Sequence, residues 1–265
     1  MDLKDKVVWL TGASSGIGAA TAVLASKHGA RLVLTARRLE RLEEVKARCA
    51  DPSQVKLLPF DLTDIESHPA RAQEAIDAFG QVDCLINNAG ISQRSRVEDT
   101  ELEVDRRIME INYFAVISLT KALLPHMISR RTGNISVISS VAGYVGTKQR
   151  SAYAASKHAV RAYFDSLRAE MHEYGIHVTV VCPGYIKTEI SESALTGGGG
   201  KFGTMDENIS KGLAPEKAAE AVLRGIERER EEVYVGGKEL AAIYLKRFAP
   251  AVVSRVVRGM KEQQS

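Results

Sequence analysis

The chain has 265 residues, 45% of them hydrophobic and 26% charged, with a net charge of +3. This supports one sizeable core, and the charge is too mild and too dispersed to argue for a nucleic-acid surface. Its three cysteines, Cys49, Cys84 and Cys182, are far apart and outside any Cys-x-x-Cys, which argues against a disulfide framework and a metal site and suits a reducing compartment.

Short β-branched runs alternate with longer amphipathic stretches. Strands are predicted over 6–11, 31–35, 55–59, 82–87, 133–139, 176–182 and 232–235. Helices are predicted over 16–28, 39–48, 67–79, 101–129, 153–174 and 215–229. Runs such as Val7-Val8-Trp9-Leu10 are apolar throughout rather than alternating, as expected of parallel strands covered on both faces. The expected fold is α/β: one domain over 1–265, a doubly wound parallel sheet of about seven strands in the Rossmann arrangement with helices on both faces. No secretory signal or membrane span is read from the sequence, the N-terminal apolar run being too short for either, so a cytoplasmic location is expected.

Two segments stand apart. Residues 188–214 are polar and contain Gly197-Gly198-Gly199-Gly200; a disordered surface loop is one reading and a substrate lid the sharper one. Residues 238–265 form a helical extension in which Lys238, Lys246, Arg247, Arg255, Arg258 and Lys261 outnumber Glu239. Such a basic amphipathic stretch packs on its own domain or a partner subunit, with membrane contact as the alternative.

The first strand runs into Thr11-Gly12-Ala13-Ser14-Ser15-Gly16-Ile17-Gly18 at the start of a helix. Glycines there let backbone come close to a pyrophosphate, and the helix N-terminus offers free N–H groups and the positive end of a dipole. Gly12, Ser14, Ser15, Gly16, Ile17 and Gly18 are therefore cofactor candidates. The second strand ends in Ala36-Arg37-Arg38 where a carboxylate would select the ribose of NAD. Guanidinium forks suit a 2′-phosphate, which points to NADP(H), with Arg37 ahead of Arg38; the rival reading is the start of a solvated helix. Asp61 and Leu62 follow the third strand near the expected adenine position, although Asp61 could also cap a helix. Asn88, Ala89 and Gly90 in Asn87-Asn88-Ala89-Gly90 end the fourth strand and would line the same groove.

Tyr153 and Lys157, four apart on a predicted helix, project from one face, with Ser140 thirteen residues upstream. A buried ammonium beside a phenol favours the phenolate, so the pair reads as a proton exchanger near neutral pH, although Tyr-x-x-x-Lys alone also arises by chance.

Together these motifs resemble the NAD(P)-dependent short-chain dehydrogenase/reductase family, over residues 6 to about 235. Asn112, and Pro183-Gly184 with Thr188, add to the match. Asn112-Tyr113-Phe114, the stretch from Ser151 to Ala159, and Val181-Cys182-Pro183-Gly184-Tyr185-Ile186 resemble the member 7 subgroup of that family. An N-terminal membrane segment, which that subgroup often carries, is not expected from this sequence, so the subgroup's location and substrate are not carried over. The resemblance implies Tyr153 as general acid or base, Ser140 orienting the substrate oxygen, and Lys157 lowering the phenol's pKa and holding the nicotinamide ribose. It implies Asn112 holding a water behind Lys157, and Pro183, Gly184, Ile186 and Thr188 beside the nicotinamide or the phosphates. Ser139 is Ser140's competitor, but neighbours on a strand point to opposite sides. Ser15 stands where some NADP-preferring relatives carry a basic residue.

The expected function is NADP(H)-dependent interconversion of a carbonyl and an alcohol, in the direction of reduction, on a hydrophobic or lipid-like small molecule. Pocket walls are expected from 92–97, 141–151 and 185–211, including Gln93, Arg94, Tyr144, Lys148, Arg150, Tyr185 and Phe202. The alternatives are a dinucleotide-sensing binding protein that has lost turnover and a peripheral membrane reductase of acyl ketones such as acyl-dihydroxyacetone phosphate. A homodimer or homotetramer through the long helices is the family expectation.

Overall fold

The computed structural model describes residues 1–260 and Glu262; Lys261 and residues 263–265 of the predicted extension lie outside the described residues. Seven strands form one sheet: β1 (Val7–Thr11), β2 (Arg31–Thr35), β3 (Val55–Leu57), β4 (Cys84–Asn87), β5 (Gly133–Ile138), β6 (Ile176–Pro183) and β7 (Glu232–Val235). Their spatial order is β3-β2-β1-β4-β5-β6-β7, and every pairing is parallel. The order reverses between β1 and β4, so the crevice at the carboxyl ends of those strands is where a doubly wound sheet takes its ligand.

The apolar runs become strands because both faces are covered. In β1, Val8 and Leu10 enter one core with Leu32, Leu34 and Val222, while Val7 and Trp9 enter the other with Leu119 and Phe164. Period-two alternation thus splits one apolar strand between two cores. The first core lies under α1 (Gly16–Lys27), α2 (Leu39–Ala47) and α8 (Pro215–Glu227); the second lies under α3 (His68–Asp77), α5 (Ala115–Arg130) and α6 (Ser151–Met171).

The predicted helix over 101–129 is interrupted. It runs as α4 (Leu102–Met109), a widened turn Glu110–Phe114 with i→i+5 character, and then α5. Such bulges mark places where a helix re-aims a side chain, and here the widened turn carries the fully buried Asn112. By length and a mean hydropathy of 1.2, the whole run Leu102–Arg130 could also cross a membrane, contrary to the sequence reading that found no span. Its inner side, including Ile108, Leu119, Leu123 and Met127, is buried within the domain, as in core helices that meet the same criteria.

The segment 188–214 is mostly turns and bends, but it is docked on the body rather than loose. It contains the short helix α7 (Glu207–Ser210) and pairs Leu195 with Gln93 and Leu213 with Ile186. The extension beyond β7 is two helices, α9 (Ala241–Phe248) and α10 (Pro250–Gly259), broken at Ala249-Pro250.

Candidate active site

At the carboxyl end of β1 the glycine turn is built for close approach. Gly12 and Gly16 have φ of 63° and 53°, the left-handed region where a side chain is strained. A Cβ on Gly18 would lie 2.2 Å from the Gly12 carbonyl oxygen, so α1 can press on the turn only with glycine there. Helix α1 has no side-chain cap from Ser15 and no acidic residue in its first turn. Its N-terminus thus keeps the donors and dipole end that suit a pyrophosphate. Thr188 lies against Gly16, its methyl carbon 3.0 Å from where a Cβ would stand, and closes the turn from the far side.

Gly12, Ser14, Ser15, Gly16 and Ile17 line one large cavity of about 1060 Å³, together with Arg37, Arg38, Asp61 and Leu62 at its outer end. Arg37 Nη1 is 3.9 Å from Asp61 Oδ2, both side chains being half exposed or more. Asp61 Oδ1 accepts from Thr63 N (3.0 Å) and Thr63 Oγ1 (2.9 Å), so the carboxylate both lines the cavity and holds its own turn. Asn88, Ala89 and Gly90 line the middle. Asn88 Nδ2 donates to the carbonyls of Thr11 (3.1 Å) and Gly12 (3.0 Å), tying the end of β4 to the glycine turn.

At the inner end lie Ser140, Tyr153 and Lys157, with Pro183, Gly184, Ile186 and Thr188 opposite. Ser140 Oγ accepts from Ala142 N at 3.1 Å, and the serine hydrogen-bonds the Tyr153 phenol. Ser139 points the other way and donates to the Lys157 carbonyl at 3.1 Å, as strand alternation requires. Lys157 Nζ donates to the Ile138 carbonyl at 2.8 Å and stands 5.9 Å from the centre of the Tyr153 ring. Two candidates do not line the cavity. Gly18 is packed beneath the turn, and Asn112 lies behind Lys157 with its amide committed. Asn112 Oδ1 accepts from Ile91 N (2.8 Å), while Nδ2 donates to Ile91 O (2.9 Å) and Ser156 Oγ (3.0 Å).

The electrostatics differ from the sequence expectation. Burial raises the Tyr153 phenol above its ordinary value, and the Arg150 charge and the Ser140 hydrogen bond oppose that rise. Burial also lowers Lys157 to about 8, so near neutral pH its ammonium is itself under strain.

Some expected wall residues face elsewhere. Of 92–97 only Arg94 reaches the cavity. Gln93 is fully buried, accepting from Ala152 N at 2.9 Å. Tyr144 turns to Glu232 (2.9 Å) and Tyr234 (3.0 Å), and Phe202 is buried without lining the cavity. The sequence reading missed two features. Asp206, buried in that segment, takes ion pairs from Arg94 and, at 3.3 Å, from Arg150. Leu245, Val252, Val253 and Val256 of α9 and α10 form an apolar wall of the cavity. The apolar periodicity of 238–265 carried the second signal; a lone aspartate in a polar loop carried none.

A glycine turn at the β1–β4 switch point, opening into a cavity that ends at Ser140, Tyr153 and Lys157, matches one family. The model for short chain dehydrogenases matches residues 6–197. The chain belongs to the short chain dehydrogenase family. It is therefore an NAD(P)-binding oxidoreductase, of a kind that acts on small molecules and is commonly oligomeric. It is 46% identical to dehydrogenase/reductase SDR family member 7B of Xenopus tropicalis, over 94% of this chain and 84% of that protein. It is 44% identical to the SDR family protein 7-like of Drosophila melanogaster, over 94% of this chain and 78% of that one. These relatives bear out the member 7 resemblance. Among solved structures, a short-chain dehydrogenase of Streptomyces avermitilis superposes with a TM-score of 0.83 at 31% identity, covering 98% of this chain and all of that one. One from Burkholderia cenocepacia in complex with NADP gives 0.79 at 26% identity, covering 97% and 99%.

Proposed function

We propose that the protein is an NADP(H)-dependent oxidoreductase that interconverts a carbonyl and an alcohol, working as a reductase of a hydrophobic or lipid-like ketone or aldehyde. The observation that carries this reading is the convergence of Ser140, Tyr153 and Lys157 at the inner end of a cavity whose outer end is the glycine turn with Arg37 and Arg38. The uncapped α1 N-terminus and the left-handed glycines fit a pyrophosphate, and two arginines without a selecting carboxylate at the end of β2 fit a 2′-phosphate. The dinucleotide bound there would supply or accept the hydride.

The chain's own residues do the rest. Ser140 holds the substrate oxygen, and Tyr153 gives it a proton as negative charge develops there. A phenol raised by burial stays protonated at neutral pH, which suits an acid in the reductive direction. Lys157 lies one helical turn behind and can return a proton, its own pKa lying at about 8. A water relay behind it would use the main chain of Asn112, whose side chain is fully engaged. Aliphatic side chains of α9 and α10 along the cavity support an apolar substrate.

A second reading, an acyl ketone bearing an acidic group, is favoured by one observation. Two buried or nearly buried guanidiniums, Arg94 and Arg150, share a single carboxylate, and Arg94 Nε has no hydrogen-bond partner among the described residues. A screen of cofactor oxidation with NADPH and NADH over aldehydes, steroid ketones, quinones and acyl ketones with and without a phosphate separates these readings. Turnover with NADPH on apolar carbonyls is expected. Tight NADPH binding with no turnover on any of them would leave a binding protein instead.

A further inference from the structure

The Tyr153 phenol is faced by charged or titratable groups from several elements. Lys157 lies on its own helix and Arg150 immediately precedes it, Tyr185 follows β6, and Glu239 follows β7. Arg94 follows β4, and Asp206 comes from the segment 188–214. Arg107, Lys148, Glu189 and Lys201 line the exposed rim, where water screens them. Lys157 Nζ lies 5.9 Å from the centre of the Tyr153 ring while donating one hydrogen bond to the Ile138 carbonyl. Arg150 is a second cation at that distance, its guanidinium carbon also 5.9 Å from the ring centre.

Three features fix it there. Gln149, immediately before it, has a φ of 61°, a left-handed conformation that costs a non-glycine residue and is found where the surroundings enforce it. Asp206 divides its carboxylate: Oδ1 caps α7 through Asn208 N (2.8 Å) and Ile209 N (3.2 Å), while Oδ2 takes Arg150 (3.3 Å) and Arg94. The segment that carries Asp206 is itself bound to the body, Arg94 N donating to Leu195 O and Leu195 N to Ser92 O, both at 2.8 Å. Arg94 offsets the carboxylate, so the Arg94–Asp206–Arg150 group keeps one net positive charge beside the phenol.

We propose that Arg150, anchored by Asp206 of the docked segment 188–214, is a positioning residue that tunes the Tyr153 proton, so that this segment, besides covering the substrate, helps to set the pH at which the tyrosine works. The inference rests on the reading of Tyr153 as the acid and base of the reaction. One unit charge about 6 Å away in a solvent-connected cavity moves a titration by about half a pH unit or more. Arg150→Lys keeps the charge, and Arg150→Gln removes it.

The test is the pH profile of kcat/KM for alcohol oxidation with NADP+, whose rising limb reports the deprotonation of Tyr153. Arg150→Gln should move that limb up by about half a unit or more, with the Kd for NADPH unchanged, and Arg150→Lys should largely restore it. In an Asp206→Asn background, where the loss of the carboxylate charge is common to both arms, Arg150→Gln should move the limb by clearly less, because the guanidinium is no longer held against the ring. A limb that stays in place in Arg150→Gln overturns the tuning role. An Arg150→Gln shift of full size in the Asp206→Asn background overturns the anchoring. Absence of any turnover in the unaltered protein would instead strike at the reading of Tyr153.

Discussion

Lys157 is buried yet carries an ammonium, and its pKa of about 8 against an ordinary 10.5 has a consequence for stability. Below pH 8 the lysine is protonated in both the folded and unfolded states, and its contribution is at its least favourable. Between 8 and 10.5 the folded state releases the proton first, so the unfolded state binds more protons and stability rises with pH. By pH 9.5 the cofactor-free protein should gain about 2 kcal/mol from this group. Thermal melts at pH 7 and 9.5 should show that gain in the unaltered protein and not in Lys157→Met; equal behaviour would mean that the ammonium is solvated. Arg37 is the other residue on which a choice turns. Its distance of 3.9 Å from Asp61 is loose and its side chain exposed, so it is free to turn to a 2′-phosphate. Arg37→Ala should weaken NADPH about tenfold or more while leaving NADH nearly unchanged. Equal losses measured by fluorescence titration would remove Arg37 from phosphate selection.

Among the elements, the β1–α1 turn is the least tolerant of change. Gly18→Ala would drive a Cβ to 2.2 Å from Gly12 O and 2.5 Å from Asn88 Nδ2, forcing α1 off the turn that Asn88 holds. A loss of roughly 2–4 kcal/mol in stability and a matching loss of NADPH affinity should follow, checked by melting and titration; a variant with unaltered affinity would show that the helix can move away cheaply. The sequence conveyed this element well because glycines at fixed spacing after an apolar strand are a local signal. The strands at 31–35 and 232–235 were likewise readable to the residue, and alternation left only one of Ser139 and Ser140 to face the substrate, the offset of thirteen residues to Tyr153 favouring Ser140. The widened turn at Glu110–Phe114 was not, because helical periodicity looks the same on both sides of it. Asp206 was invisible for a different reason. Its partners Arg94 and Arg150 are brought to it only by the docking of 188–214 on the body, which no local pattern encodes. The direction of the Tyr153 shift was misread for a related cause, since four-residue spacing shows that Lys157 is near but not how deeply the phenol is buried, and burial is the larger effect.

For the molecule as a whole, the sheet order brings the glycine turn, the Ser140–Tyr153–Lys157 group and the α9–α10 wall to one edge and into one cavity. On the second helical layer Phe114 is left 45% exposed beside Ile65, Ile117 and Lys121, at a hollow along the start of α5. We expect a dimer or tetramer through α5 and α6. Sedimentation velocity should show a mass that is a multiple of 28.9 kDa, reduced by Phe114→Glu; a monomer at micromolar concentration would contradict it. The central claim is that this cavity performs carbonyl reduction with Tyr153 as the proton donor. The most direct measurement compares the unaltered protein and Tyr153→Phe for NADPH binding and NADPH-dependent reduction of a substrate found in the screen. The Kd for NADPH should be unchanged and the rate reduced at least about a hundredfold; reduction at the unaltered rate in Tyr153→Phe would remove Tyr153 from the role of proton donor.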